Sequence, residues 1–130
     1  MAAVVLLLGG GDVGLRIADG LLRQGGVERL VIADVNAKQL PHAVAMLACC
    51  HDADVVFEEV DGLDLQSLER LVRHTRPNLI IQTASLISPW SIIGRDHPIA
   101  RVLNAAGIGI QLPVQLPIVM NLMRVVKDLG

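Results

Sequence analysis

Three glycines and an acid are the residues of this 130-residue chain whose types and spacing most plainly suit chemistry. Gly9, Gly11 and Gly14 form a Gly-x-Gly-x-x-Gly pattern. It follows the uncharged apolar run Val4–Leu8 and precedes a helical pattern in which Val13, Ile17 and Leu21 stand four apart. A strand that turns through such glycines into a helix can hold a pyrophosphate. Gly9 is expected to let the chain turn sharply, Gly11 to let phosphate approach the backbone, and Gly14 to let the helix pack closely on the sheet. The phosphates would meet unpaired N–H groups and the positive end of the helix dipole. Asp34 lies 20 residues past Gly14 and closes a second apolar run, Leu30–Ala33. An acid at that place accepts hydrogen bonds from an adenosine ribose. A purely structural glycine turn, with Asp34 capping the next helix, is the bland alternative. Strand, turn, helix, strand and acid all in register favour the dinucleotide.

The elements that must position these groups follow from the rest of the chain. At this length one domain with a real core is expected. Hydrophobic residues make up 52%, mean hydropathy is +0.54 and aromatics are 2%. The core is therefore built from Val, Leu, Ile and Ala, which suits a parallel sheet buried on both faces. A first helix is predicted from Asp12 or Val13 to Gln24, stopped by Gly25-Gly26. After strand two at Leu30–Ala33, a loose turn at Asn36–Leu40 leads into a helix that starts near Pro41, where proline is welcome. Val55–Val60 reads as strand three, and a helix capped by Asp64 follows it. Strand four is Leu79–Gln82. Such β–α alternation implies right-handed crossovers and strand order 3-2-1-4. Beyond it come a long segment, Thr83–Arg95, and a helix from Pro98 to Ala106. Gly107–Ile110 is a candidate fifth strand, and Leu116–Lys127 a final helix.

In an open parallel sheet the binding crevice lies outside the C-terminal ends of the strands. Four stretches fall there: the turn residues Gly9, Gly11, Asp12, Val13 and Gly14; Asp34 with Val35 and Asn36; Asp61; and Thr83-Ala84-Ser85. Asp61 is placed for the adenine, or else helps to cap the following helix. Thr83, Ala84 and Ser85 sit toward the nicotinamide half, although Thr83 and Ser85 could equally make local turn bonds. Asp34 would repel a 2′-phosphate and no arginine follows it directly, so NAD is favoured, with NADP the alternative and Lys38 the complication. No catalytic residue stands out. His42, His51, His74 and His97 are scattered, and only His97 falls near the crevice. Ser88, Pro89 and Trp90 form either a substrate-facing lid or an apolar plug against another domain.

Other function classes are disfavoured. A net charge of −2, with no basic run or aromatic platform, gives no reason to invoke nucleic acid. The apolar stretch Ile108–Met123 is broken by Gln111, Pro113, Gln115, Pro117 and Asn121, so no membrane span is expected. Adjacent Cys49 and Cys50 read as reduced thiols, which suits the cytoplasm. No metal site is expected.

The sequence resembles the NAD(P)-binding domain of the saccharopine dehydrogenase-like family, which has a Rossmann-type doubly wound α/β fold. The resemblance is carried by Leu6–Gly14, Ala33–Asn36, Val60-Asp61 and Pro77–Ala84. It implies a cytoplasmic oxidoreductase acting on an amino-acid-like carbonyl, amine or imine, with the small-molecule substrate held largely by a second domain. Residues 1–130 would then be the N-terminal dinucleotide-binding part of a longer two-domain protein. Two stretches depart from the family pattern: Ser85–Trp90, where a Gly-Pro turn is usual, and Gly107–Pro113. An alternative is a regulatory module that senses NAD(H) or another adenine nucleotide, as in potassium-transport regulators. A short-chain dehydrogenase or epimerase is disfavoured, because that class uses a catalytic tyrosine and this chain has none. The apolar excess predicts self-association into a homo-oligomer, a dimer above all.

Overall fold

A computed structural model describes residues 2–87, 92–107, 109 and 112–129. Its elements are β1 (Ala3–Leu8), α1 (Asp12–Gln24), β2 (Val27–Asp34), α2 (Leu40–Cys50), β3 (Asp54–Glu59), α3 (Leu65–Thr75), β4 (Leu79–Gln82), α4 (Pro98–Ala106) and α5 (Leu112–Leu129). The four strands form one parallel sheet in the order β3-β2-β1-β4. This is the doubly wound α/β order expected from the sequence.

The period-2 geometry of strands divides the core into two layers. Leu6, Leu8, Val31 and Ala33 face one side, where Leu68, Leu71 and Val72 of α3 and Ile118, Leu122 and Val125 of α5 cover them. Val5, Leu7, Leu30, Ile32 and Val55 face the other, against Ala18 and Leu22 of α1 and Val44 of α2. Register brings Leu8 beside Ala33 on one flank and Gln82 on the other. Three strands therefore end at one level, beside the glycine turn.

Several expectations are met in detail, and some shift. Gly25 and Gly26 adopt φ of 76° and 83°, which supplies the left-handed stop after α1. Pro41 falls in the first turn of α2, after a turn at residues 37–39. Asp64 caps α3 by accepting from the Gln66 N–H. Its carboxyl is held below the usual range, first by the Ser67 hydroxyl and then by backbone N–H groups.

The stripe that α1 buries is Gly14, Ala18 and Leu22, not the one beginning at Val13, which is 63% exposed. Ala18 and Leu22 face the sheet, with Leu15 and Leu21 packed beside them, while Gly14 lies against the glycine turn. The last helix begins at Leu112 rather than Leu116 and carries Pro117 inside it. Proline at 117 lacks an N–H to give to the carbonyl four residues back. Burial of Ile118, Leu122 and Val125 outweighs that loss. The candidate fifth strand, apart from Gly107 and Gly109, lies outside the described residues, as do Ser88, Pro89 and Trp90.

Candidate functional site

The glycine turn is held from three sides. Gly9 has φ of +106°, and a Cβ there would lie 2.3 Å from the Ala84 nitrogen. A Cβ on Gly14 would lie 2.0 Å from the Gly9 carbonyl oxygen and 3.0 Å from Thr83 Oγ1. Gly14 therefore packs on the turn itself more tightly than on the strands. The Thr83 hydroxyl donates to the Gly9 carbonyl at 2.7 Å, while the Thr83 and Ala84 N–H groups both donate to the Leu8 carbonyl. Gly10, which the motif leaves unspecified, is buried against Leu40 of α2, and a Cβ there would lie 2.7 Å from that side chain. Gly11 differs from all of these: it is exposed and has open space where a Cβ would stand. That opening is where the backbone can meet a phosphate, at the start of a helix whose first N–H groups lack intrahelical acceptors.

Asp34 ties the turn to the end of β2. One carboxylate oxygen accepts from the Gly10 N–H at 2.7 Å, the other from the Asn36 N–H at 2.9 Å. The acid is half-buried and its orientation is fixed. Val35 beside it is 61% exposed and Asn36 is exposed. A cleft of about 350 Å³ opens here between α1 and α2, lined by Gly10, Gly11, Asp12, Asp34, Asn36 and Gln39 among others. Two carboxylates line it, and Lys38 stands exposed outside the lining. Asp12 is exposed, with Arg16 at 3.3 Å.

A second, narrower cleft of about 80 Å³ lies on the other side of the strand ends. Asp34, Val35, Val60, Asp61, Gly62, Ala84, Ser85 and Ile118 are among the residues lining it. Asp61 accepts from the Leu63 N–H at 2.9 Å, so it makes a local turn there, while Asp64 caps the helix. Ser85 is exposed, its hydroxyl 3.4 Å from the Ile87 carbonyl.

The structure thus brings the four predicted stretches to one edge of the sheet. It does not bring the histidines there. His97 caps α4 through its own ring nitrogen, which accepts from the Ile99 N–H. His51 lies 3.1 Å from Asp19, near the start of β2. Arg23 first and His51 second hold the Asp19 carboxyl below the usual range. Among the described residues no cluster of three or more potential ligands could hold a metal ion. A larger hollow of about 600 Å³ near Arg76, Pro77 and Leu129 lies at the opposite end of β4, away from the glycine turn. Sequence reasoning missed Gly10, Gln39, Leu40 and Ile118 as parts of this region. The unbroken Gly9-Gly10-Gly11 run hinted at the first of these, whereas nothing local marks Ile118.

The residues present fit a dinucleotide: an open backbone at Gly11, a helix start behind it, and a fixed acid beyond. Comparison with known proteins agrees. The model of the saccharopine dehydrogenase NADP binding domain matches residues 5–93. A comparison with curated protein sequences finds no match. Among solved structures, a UDP-glucose-4-epimerase from Stenotrophomonas maltophila, with bound NAD and formylated UDP-arabinopyranose, superposes with a TM-score of 0.69 at 18% identity. That match covers 97% of this chain and 34% of the epimerase. A short chain dehydrogenase from Mycobacterium smegmatis gives a TM-score of 0.69 at 21% identity, covering 96% of this chain and 51% of that one. A monomeric L-threonine 3-dehydrogenase from a metagenome gives 0.61 at 14%, covering 95% and 32%. At such identities these likenesses establish the fold alone. This chain spans between a third and a half of the length of those proteins. Among the described residues no helix is long and apolar enough to cross a membrane.

Proposed function

The chain belongs to the saccharopine dehydrogenase NADP binding domain family, and from that premise we propose that it is the cofactor domain of an oxidoreductase that prefers NAD(H). The family makes it a nicotinamide-dinucleotide-binding domain of an oxidoreductase. The preference rests on one observation. The cleft beside the glycine turn is lined by Asp12 and Asp34, and among the described residues no Lys, Arg or His lines it, Arg16 pairing with Asp12 from outside the lining. A 2′-phosphate there would meet two carboxylates, whereas a ribose hydroxyl can donate to one of them. This reading runs against the cofactor in the family's description, so it is sharply testable.

In this reading the residues divide the work. Gly11 and the first turn of α1, at Asp12, Val13 and Gly14, take the pyrophosphate, and Asp34 with Val35 and Asn36 takes the adenosine ribose. Asp61 faces the base. Thr83, Ala84 and Ser85 border the nicotinamide half, and Thr83 keeps the Gly9 carbonyl turned away from the phosphates. When bound, the cofactor supplies hydride chemistry. The substrate, an amino-acid-like carbonyl, amine or imine, would be held largely by a further domain of a longer protein. The exposed free thiols Cys49 and Cys50 support a reducing, cytoplasmic setting. Exposed Leu116, Met120 and Met123 on α5 support self-association, which sedimentation at micromolar concentration would test.

Calorimetric titration with NAD, NADH, NADP and NADPH tests the assignment. The expected result is binding of the NAD forms at least about tenfold tighter than the phosphorylated forms, with Asp34→Ala removing the preference. Tighter binding of NADP(H) by the native chain would overturn it.

A further inference from the structure

The narrow cleft has one wall that the strand ends do not supply. Asp34, Val35, Asp61, Gly62, Ala84 and Ser85 all lie at or just past the C-terminal ends of strands, but Ile118 comes from α5, beyond the 5–93 region that matches the family. Ile118 is buried, and its Cγ2 stands 2.8 Å from where a Cβ on Gly62 would be. One turn further along α5, the Asn121 side-chain amide donates to the Gly62 carbonyl at 3.2 Å and to the Leu63 carbonyl at 3.1 Å. These carbonyls belong to the turn that Asp61 closes by accepting from the Leu63 N–H. The placement of α5 and the direction of the Asp61 carboxylate are therefore mechanically linked.

We propose that α5 is the base-side wall of the nucleotide site, with Ile118 as the apolar face for an aminopurine ring and Asn121 as the positioning residue for Asp61. The proposal rests on the dinucleotide reading and deepens it. The chemistry is that of a flat ring carrying an exocyclic amine. Ile118, Val35 and Ala84 offer apolar contact, and one oxygen of Asp61 stays free of protein partners among the described residues to accept from the amine. Base recognition is thereby coupled to the seating of a helix that begins 30 residues past the end of β4.

The test compares NADH with reduced nicotinamide hypoxanthine dinucleotide, in which an oxo group replaces the adenine amine. The native chain should prefer NADH about tenfold, the value of one charge-assisted hydrogen bond. Asn121→Ala should bring that ratio toward one while the chain still binds both ligands. Asp61→Asn, at an exposed position where the amide oxygen still closes the turn, should do the same if Asn121→Ala does not fold. A merely structural role for α5 would weaken both ligands equally and leave the ratio unchanged, which would overturn the proposal. Equal affinities in the native chain would also overturn it while leaving dinucleotide binding intact. Failure to bind either ligand would remove the dinucleotide reading itself.

Discussion

The two clefts flanking the glycine turn differ in how they are made. The wider one, between α1 and α2, is assembled from neighbours in sequence and in register: the turn, the end of β2 and the start of α2. The narrower one draws on the ends of β2, β3 and β4 and on a helix from the far end of the chain. The same contrast exists inside the motif, where Gly9 and Gly14 are crowded by backbone and Gly11 faces open space. Crowded positions hold the scaffold, and the open one is free for a ligand.

Substitutions should separate these roles, beginning with the largest effect. Gly9→Ala places a Cβ against the backbone of Ala84 at a positive φ, and should cost about 4 kcal/mol or more in urea denaturation, enough to lose the fold. Gly11→Ala should stay within about 1 kcal/mol of the native chain yet lose most NADH affinity. If the two behave alike, the contrast fails. Asp34→Ala removes the acceptor of the Gly10 N–H as well as the ribose contact, so NADH affinity should fall by about ten- to a hundredfold. Thr83→Val should lower NADH affinity by about fivefold, with Thr83→Ser restoring it, because the hydroxyl holds the Gly9 carbonyl.

The smallest effect lies away from both clefts, at the cap of α3. Asp64 has a depressed carboxyl pKa in the folded chain, so its contribution is complete above the ordinary carboxylate range and fades as pH falls through the folded value. Asp64→Asn should therefore melt below the native chain at pH 7, and the gap should close below pH ~4. A gap that stays constant with pH would mean the cap works without its charge.

The same division explains what could be read from the sequence. Strand order, the Gly25-Gly26 stop, the Asp64 cap and the place of Asp34 at the end of β2 each depend on residues close together, or on a periodicity that survives in a short window. The buried stripe of α1 was displaced by one position, because glycine and alanine carry little hydrophobic signal even where they make the closest contact. The first turn of α5 was missed because Pro117 argues against helix locally, while the burial that overrides it is tertiary. Ile118 and Asn121 were invisible as site residues for a related reason. Their partners, Gly62 and Leu63, lie more than 50 residues away, and an aliphatic and an amide in a helix announce nothing.

The placement of β1 has a consequence for how the chain is made. It lies between β2 and β4, so its two hydrogen-bonding edges are satisfied by segments that appear at very different times. Pairing with β2 needs residues up to Asp34, but the other edge waits for Leu79–Gln82. At about 5–20 residues per second of synthesis, that interval is roughly 2 to 9 seconds. For that time the Val4–Leu8 strand keeps one unpaired hydrogen-bonding edge, the kind of exposed edge that promotes misassembly until β4 covers it.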